Sequence, residues 1–397
     1  MLSFNNTEIA FRYKSNKDLK RAYRLFKLVG KSWLVRIGKW ATPLAFKLKL
    51  PISGIIKATI FKQFCGGETI DECENTIEIL HKYSVGTILD YSVEGKTEED
   101  GFEETCQEII ATLKKAENNP AIPFAVFKIT GISRHALLEK LNDINNELTA
   151  DEKREFTDVF KRVEKICKFA HDSGTPVFID AEESWIQNTI DRLAEAMMLK
   201  YNKDKISVFN TFQMYRHDRL DYLKEQIAAA KRQNYTLGIK LVRGAYMEKE
   251  RERAAEMDYP SPIQPDKISC DNDFNAALKL IVDNIDHCSL CAGTHNEEST
   301  LLLTELMNRK NISKSDERCY FSQLLGMSDH ISFNLSYNNF KVAKYVPYGP
   351  IKEVMPYLLR RADENTSVAG QTGRELTLIS TEWKRRKKML SNYSHSS

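Results

Sequence analysis

From Gly86 onward the chain alternates two patterns. Short β-branched or apolar runs are followed by longer charged stretches in which apolar residues recur every third or fourth position. Eight short runs read as strands: Gly86–Asp90, Phe124–Ile129, Pro176–Asp180, Val208–Phe212, Leu237–Val242, Cys288–Gly293, Cys319–Leu324 and Phe340–Val346. The stretches between them read as helices. Asp151–Ala170 puts Phe156, Val159, Phe160, Val163 and Ile166-Cys167 on one face; Phe274–Ile285 does the same with Ala277, Leu278, Leu280, Ile281 and Ile285; Thr300–Met307 is Leu-rich. Eight β/α units in series predict an α/β fold, a (β/α)8 barrel. An open doubly wound sheet is the other arrangement, but no Gly-x-Gly-x-x-Gly turn follows any strand. The pattern divides the chain into a helical arm over 1–85, the barrel over 86–365, and a C-terminal helix and tail over 366–397.

Charge changes the picture of the arm. Between Arg12 and Lys62, 14 Lys and Arg stand against one acid, Asp18; that segment is +13 in a chain of +3, so the remainder is −10. Leu19, Ala22, Tyr23, Phe26 and Val29 form a helical stripe, which Trp33, Leu34, Ile37, Trp40 and Ala41 continue. Two readings stand: an amphipathic arm that docks on anionic lipid, or a helix that packs on the main domain with its Lys stems in water. No recognition motif accompanies the charge, so nucleic acid is not an expected partner. Gly30-Lys31-Ser32 is no phosphate loop, because Leu25 stands five residues before Gly30. The run Lys384–Lys388 before a Ser-rich tail reads as a frayed basic helix end.

Composition sets outer bounds. With 17 Gly and 11 Pro in 397 residues, collagen and low-complexity disorder are excluded, and 8 Cys are too sparse for a disulfide scaffold. No run of 18 apolar residues predicts a membrane span, and the first residues lack the features of a signal peptide. The expectation is an intracellular protein with free thiols.

In a barrel, chemistry sits at the carboxyl ends of the strands. Polar residues end all eight: Asp90, Lys128, Asp180, Asn210 through Gln213, Lys240 with Arg243, Thr294-His295, Gln323 and Tyr345 onward. A purely structural barrel would not need this. Lys128 and Asp180 end neighbouring strands and could position an ionised substrate, or form a buried pair closing the barrel. Lys240 and Arg243 run into Gly244-Ala245, which suits close approach of an anionic or electron-rich cofactor, though surface charge would read the same. His295 could be a base, a ligand, a cofactor contact or a hydrogen-bonded rim residue. After the last strand, Tyr357, Arg360, Arg361 and Glu364 share a helix face. Two adjacent guanidinium groups can grip one carboxylate, with Glu364 steadying one of them; an exposed salt-bridged face is the alternative. Cys288 and Cys291 do not make a metal site, because alternation along a strand turns their side chains apart. No metal is expected.

Taken together, Lys240–Tyr246, Gly293–Asn296, Gln323–Met327, Tyr345–Gly349 and Tyr357–Asn365 resemble the proline dehydrogenase family, in the family's order and across roughly 55–380. The resemblance implies a distorted (β/α)8 barrel binding FAD non-covalently. It implies oxidation of L-proline to Δ1-pyrroline-5-carboxylate, the first step of proline catabolism to glutamate, with electrons passed to a membrane quinone. By position Arg360 and Arg361 look like the carboxylate clamp, with Lys128 a further partner, Tyr345 and Tyr357 pocket walls, and Leu241 and Tyr246 beside the substrate ring. Asp180 and Lys240 look catalytic, Lys240 lying near the flavin N5. Asn210, Gln213, Arg243, Gly244, Ala245, Thr294 and His295 look like flavin contacts, Asn210 standing where other members carry Gln. The resemblance further implies a monofunctional enzyme, peripheral on the cytoplasmic face of a bacterial inner membrane or, alternatively, on the matrix side of a mitochondrial one. Hydroxyproline oxidation is the rival within the family; the Tyr345 ring would crowd a 4-hydroxyl. A rival of a different class is a non-catalytic membrane-associated barrel, a relative that has lost catalysis.

Overall fold

The eight apolar runs form eight parallel strands that close into a barrel in sequence order. They are β1 (Gly86–Tyr91), β2 (Phe124–Phe127), β3 (Val177–Ile179), β4 (Val208–Gln213), β5 (Leu237–Val242), β6 (Cys288–Gly293), β7 (Cys319–Leu324) and β8 (Val342–Tyr348). Closure is made by β8 on β1, where Ile88 stands opposite Tyr345. The computed structural model describes residues 2–29, 33, 48, 52–92, 99–367 and 371–394. β8 starts two residues later than the pattern predicts, because Asn338 and Asn339 form the turn that ends the preceding helix, Asn339 with φ +67°.

Alternation sorts each strand's residues. One set points into the barrel and fills it with Ile88, Phe124, Val126, Phe178, Phe209, Cys291, Ala343 and Tyr345. Phe124 stacks on Phe178 at 4.5 Å between ring centres and meets Phe209 edge-on at 5.6 Å. The barrel is a packed aromatic core, not a pore. The other set, including Ile179, Val208, Phe212, Ile239, Leu241, Leu290 and Val346, packs outward against the helices. Burial of side chains of this size contributes about 2 kcal/mol each.

The helices that bear on the site are α1 (Thr7–Phe11), α2 (Asn16–Val29), α3 (Glu74–Lys82), α4 (Glu99–Ala116), α5 (His135–Asn142), α6 (Ala150–Ser173), α7 (Ser184–Tyr201), α8 (Arg219–Gln233), α9 (Met247–Glu256), α10 (Lys267–Asp283), α11 (Glu297–Arg309), α12 (Asp329–Tyr337), α13 (Met355–Ser367) and α14 (Gln371–Ser394). Local sequence sets their ends. Thr149 and Glu152 form a reciprocal capping box at the start of α6, and Gly174 closes it at φ +76°.

The first half of the arm packs on the body. Leu19, Ala22 and Phe26 of α2 join Phe11, Phe64, Leu358 and Ile379 in a cluster shared with α13 and α14. Lys17, Lys20, Arg24 and Lys27 remain on the exposed face of α2. Trp33 is exposed, while Leu34, Ile37, Trp40 and Ala41 lie outside the described residues. The basic run near the C-terminus is not a frayed end. Glu382, fully buried, accepts from Arg385 at 2.8 Å and Arg386 at 2.7 Å, and Arg386 donates to the carbonyls of Phe11 and Lys14, both at 2.8 Å. A buried carboxylate has drawn the cations inward, which charge counting along the chain could not register.

Gly238 marks where the floor of the barrel is tightest. A Cβ there would meet the Val208 carbonyl oxygen at 2.2 Å, a backbone atom that cannot rotate aside. Gly238→Ala should lower the urea midpoint by the equivalent of about 3 kcal/mol at unchanged slope; an unaltered midpoint would show that β4 and β5 can separate freely.

Candidate active site at the barrel mouth

Interior positions two residues above the aromatic floor carry the polar groups. Asp180 follows β3 in the alternation of Phe178 and accepts from Lys240 of β5, Nζ to Oδ1 2.5 Å. The ammonium lies 4.3 Å from the centre of the Tyr345 ring and 5.8 Å from that of Phe178. Tyr345 is parallel to Phe178, and its hydroxyl is 3.5 Å from the same Asp180 oxygen. Burial, then the Asp180 charge, holds the Tyr345 hydroxyl well above its ordinary pKa, so it stays protonated. The result is a fixed cation clamped between a carboxylate and an aromatic face.

Lys128, predicted to pair with Asp180, instead approaches Asp90, 4.0 Å away; Asp90 also accepts from Ser92 at 2.7 Å. The cation bound to Asp180 is Lys240, which reaches across from two strands on.

The β5 and β6 ends form the outer rim. Arg243 donates to Asp271 at 2.6 Å, to Thr294 at 2.6 Å and to Ser299 at 2.8 Å, over the Phe274 ring. Those bonds use three of a guanidinium's five N–H groups. Gly244 has φ +130°, and a Cβ on it would sit 2.5 Å from the Tyr215 ring. The backbone therefore demands glycine for a reason internal to the chain. Ala245 is exposed and Tyr246 half-buried before α9. His295 holds Ser328 through Nδ1 at 2.9 Å. Loss of hydration, aided by Lys344, Arg361, His330 and Arg243, pushes its pKa down to about 3, so the ring is neutral.

On α13, Tyr357 and Arg361 are both buried, with the guanidinium 5.3 Å from the ring centre. Arg360 is half-buried. The side chain of Glu364 lies outside the described residues.

Two expectations are corrected. Asn210 is fully buried on the helix side of β4 and donates to Asp191 of α7 at 2.9 Å. Arg219 of α8 completes that pair at 2.6 Å. The amide that reaches the mouth is Gln213, three residues on and of opposite parity, donating to the Glu182 carbonyl at 2.7 Å. Leu241 likewise faces the helices, because its neighbour Lys240 takes the inward position.

Sequence reasoning gave no role to Glu182 or Glu250. Glu182 is buried beside Lys128 and accepts from both the hydroxyl and the amide of Thr130. Glu250 of α9 is fully buried and accepts from the amide and hydroxyl of Ser184, at 2.6 and 2.5 Å. It pins the connection after β5 to the N-terminus of α7, where a carboxylate is favoured. Its position in a run of alternating charges offered no signal.

The fold and mouth define a (β/α)8 barrel with a set of polar and charged groups at the strand carboxyl ends. More specifically, the chain belongs to the proline dehydrogenase family: the family model described as "Proline dehydrogenase" matches residues 73–374, which include all eight strands and α13. It is 34% identical over 384 residues to proline dehydrogenase 1, mitochondrial, of Dictyostelium discoideum, covering 85% of this chain and 67% of that one. It is 31% identical over 325 residues to the carbapenem antibiotics biosynthesis protein CarD of Pectobacterium carotovorum subsp. carotovorum, covering 81% and 83%. Proline utilization A from Bdellovibrio bacteriovorus, inactivated by N-propargylglycine, superimposes with a TM-score of 0.71 at 19% identity, over 91% of this chain and 38% of that chain. At that identity the likeness is one of fold.

Burial raises the Glu182 pKa from 4.5 to about 7 against the opposing Thr130 hydrogen bonds. The folded protein then binds this proton more tightly than the unfolded chain, so stability falls as pH rises through that window and is level above it. The loss should be on the order of 3 kcal/mol. Urea titrations between pH 5 and 8 should show that slope in the wild type and lose it in Glu182→Gln; parallel profiles would refute the assignment.

Proposed function

We propose that the chain oxidises L-proline to Δ1-pyrroline-5-carboxylate, with non-covalently bound FAD as hydride acceptor and a membrane quinone as the eventual electron sink. Membership of the family supports the substrate. The observation that carries the reading is the Asp180–Lys240 pair under Tyr345, with the buried Arg361 on the adjoining helix.

The residues present fit a flavin nucleotide. The rim offers cations for an anionic group in Lys240 and Arg243. It offers neutral donors in Gln213, Thr294 and His295. When bound, FAD supplies a two-electron acceptor next to the substrate.

The chain's own residues do the rest. Arg360 and Arg361 bind the proline carboxylate, with Lys128 as a further cation, so binding energy is spent on orientation. Tyr345 and Tyr357 wall the ring, and the Tyr345 ring crowds a 4-hydroxyl. Asp180 fixes Lys240 so that its charge stays where negative charge develops on oxidation of the substrate. The C–H bond beside the ring nitrogen breaks with its electron pair leaving as hydride; the nitrogen lone pair forms the C=N bond, and the N–H proton is released.

α2 supports contact with an anionic lipid surface. Lys17, Lys20, Arg24 and Lys27 form one exposed stripe, with exposed Leu28 beside them. Among the described residues no helix is long and apolar enough to cross a membrane.

The purified protein should be yellow and bleach on anaerobic addition of proline. Arg361→Ala should raise the KM for proline about 100-fold at unchanged flavin content. A colourless protein that takes up no flavin on reconstitution would end the proposal. Replacing Lys17, Lys20, Arg24 and Lys27 with Gln should weaken co-sedimentation with vesicles of anionic phospholipid about 100-fold or more; equal sedimentation of both forms would remove α2 from the membrane reading.

A further inference from the structure

We propose that Ser328 and Glu375 are positioning residues that set the tautomer of His295, leaving Nε2–H as the donor offered to the barrel mouth. The proposal rests on the reading of His295 as a cofactor contact.

The argument starts from the Ser328 hydroxyl. Ser328 is fully buried, and a buried O–H must find an acceptor. The partner of its Oγ among the described residues is Nδ1 of His295, at 2.9 Å. With the ring neutral, a hydroxyl that donates to Nδ1 forces the ring proton onto Nε2. Nε2 makes no hydrogen bond among the described residues.

The serine is held in place against its own preference. Its backbone lies at φ +50°, ψ +41°, a left-handed conformation that costs a non-glycine residue free energy unless its surroundings enforce it. Three contacts do so. Glu375 of α14, buried, accepts the Ser328 amide; the Ile331 amide donates to the Ser328 carbonyl at 3.0 Å; and Lys344 donates to the preceding Met327 carbonyl at 2.5 Å. The Glu375 contact is made by a helix outside the eight β/α units. α14 therefore reaches the β6 rim through two hydrogen bonds: Glu375 to the Ser328 amide, then the Ser328 hydroxyl to the imidazole.

The test uses the full chain stripped of flavin and labelled with 15N-histidine, the His295 ring signals being assigned by their loss in His295→Gln. The wild type should show the Nε2–H form. Ser328→Ala, which keeps the same Cβ in the same backbone, should show a mixture of tautomers. Glu375→Gln retains an acceptor oxygen and should keep the wild-type pattern, whereas Glu375→Ala should lose it. Titration of each apoprotein with FAD, followed by flavin fluorescence, should show binding about 10-fold weaker in Ser328→Ala and Glu375→Ala, with Glu375→Gln close to wild type. If Glu375→Ala does not accumulate as folded protein, Ser328→Ala carries the test. An Nδ1–H ring in the wild type, or an unchanged tautomer in Ser328→Ala, would overturn the proposal. Unchanged FAD affinity in His295→Gln would instead overturn the cofactor-contact reading on which it rests, and the two failures are read from separate measurements.

Discussion

In a closed sheet every strand must send alternate side chains to opposite sides, and the chemistry of this barrel depends on which residue falls on which side. Lys240 faces in and Leu241 out; Gln213 faces in and Asn210 out; Tyr345 faces in and Lys344 out. The floor is filled by Phe124, Phe178 and Phe209, so polar groups can stand only above it, where water and a ligand reach them. Asp180 and Lys240 occupy that level with side chains 13% and 8% exposed. A pair so nearly desolvated gains little net stability over an apolar pair of the same shape. Its yield is positional: each group fixes the other over the Tyr345 ring.

The outward-facing alternates build a second polar layer behind the barrel. Lys344, fully buried, binds Asp329 at 3.0 Å; Asp329 in turn accepts from Tyr13 at 2.6 Å and lies 3.4 Å from Lys14. Tyr13 stacks on Phe333 at 4.3 Å, and the Arg12 guanidinium sits 4.7 Å from the Tyr83 ring centre. Part of the arm's positive charge is thus consumed inside the molecule. Opposite charges within the low-dielectric layer hold Asp329 ionised, its pKa lowered to about 2 against the penalty of burial. Among the described residues the arm's charge has two destinations, this inner layer and the exposed stripe on α2.

The strands were legible because β-branched and aromatic runs of five to seven residues alternate with helix-period stretches, and closure follows from their number. The set of strand-end polar residues was legible for the same reason. Their facing was not, because it turns on a register known only to one residue, and a one-residue shift reverses every side chain. Asn210 shows the cost: an amide near a strand end resembled the family's glutamine, yet Gln213 is the one with the inward parity. The partner of Asp180 was illegible for a different reason. Adjacent strand ends suggested Lys128, whereas the cation bound to Asp180 is Lys240, two strands on. Contacts across long separations, such as Glu375 with Ser328, leave no local pattern at all.

That last class of contact changes what the terminal helices are. α13 carries Tyr357 and Arg361 between the barrel and a cluster built from α2 and α14, in which Phe26, Leu358 and Ile379 are all buried. The guanidinium can be held near the rim only while that cluster is intact, since the helix bearing it has the barrel on one side and the terminal helices on the other. Glu382 and Arg386 fasten α14 to the segment between α1 and α2, and Glu375 fastens it to the turn before α12. The terminal helices are therefore bonded into the body that carries Arg361 rather than appended to a self-sufficient barrel. Residues far from the mouth, on segments whose charge alone suggested an external partner, share in setting the geometry on which any chemistry there depends.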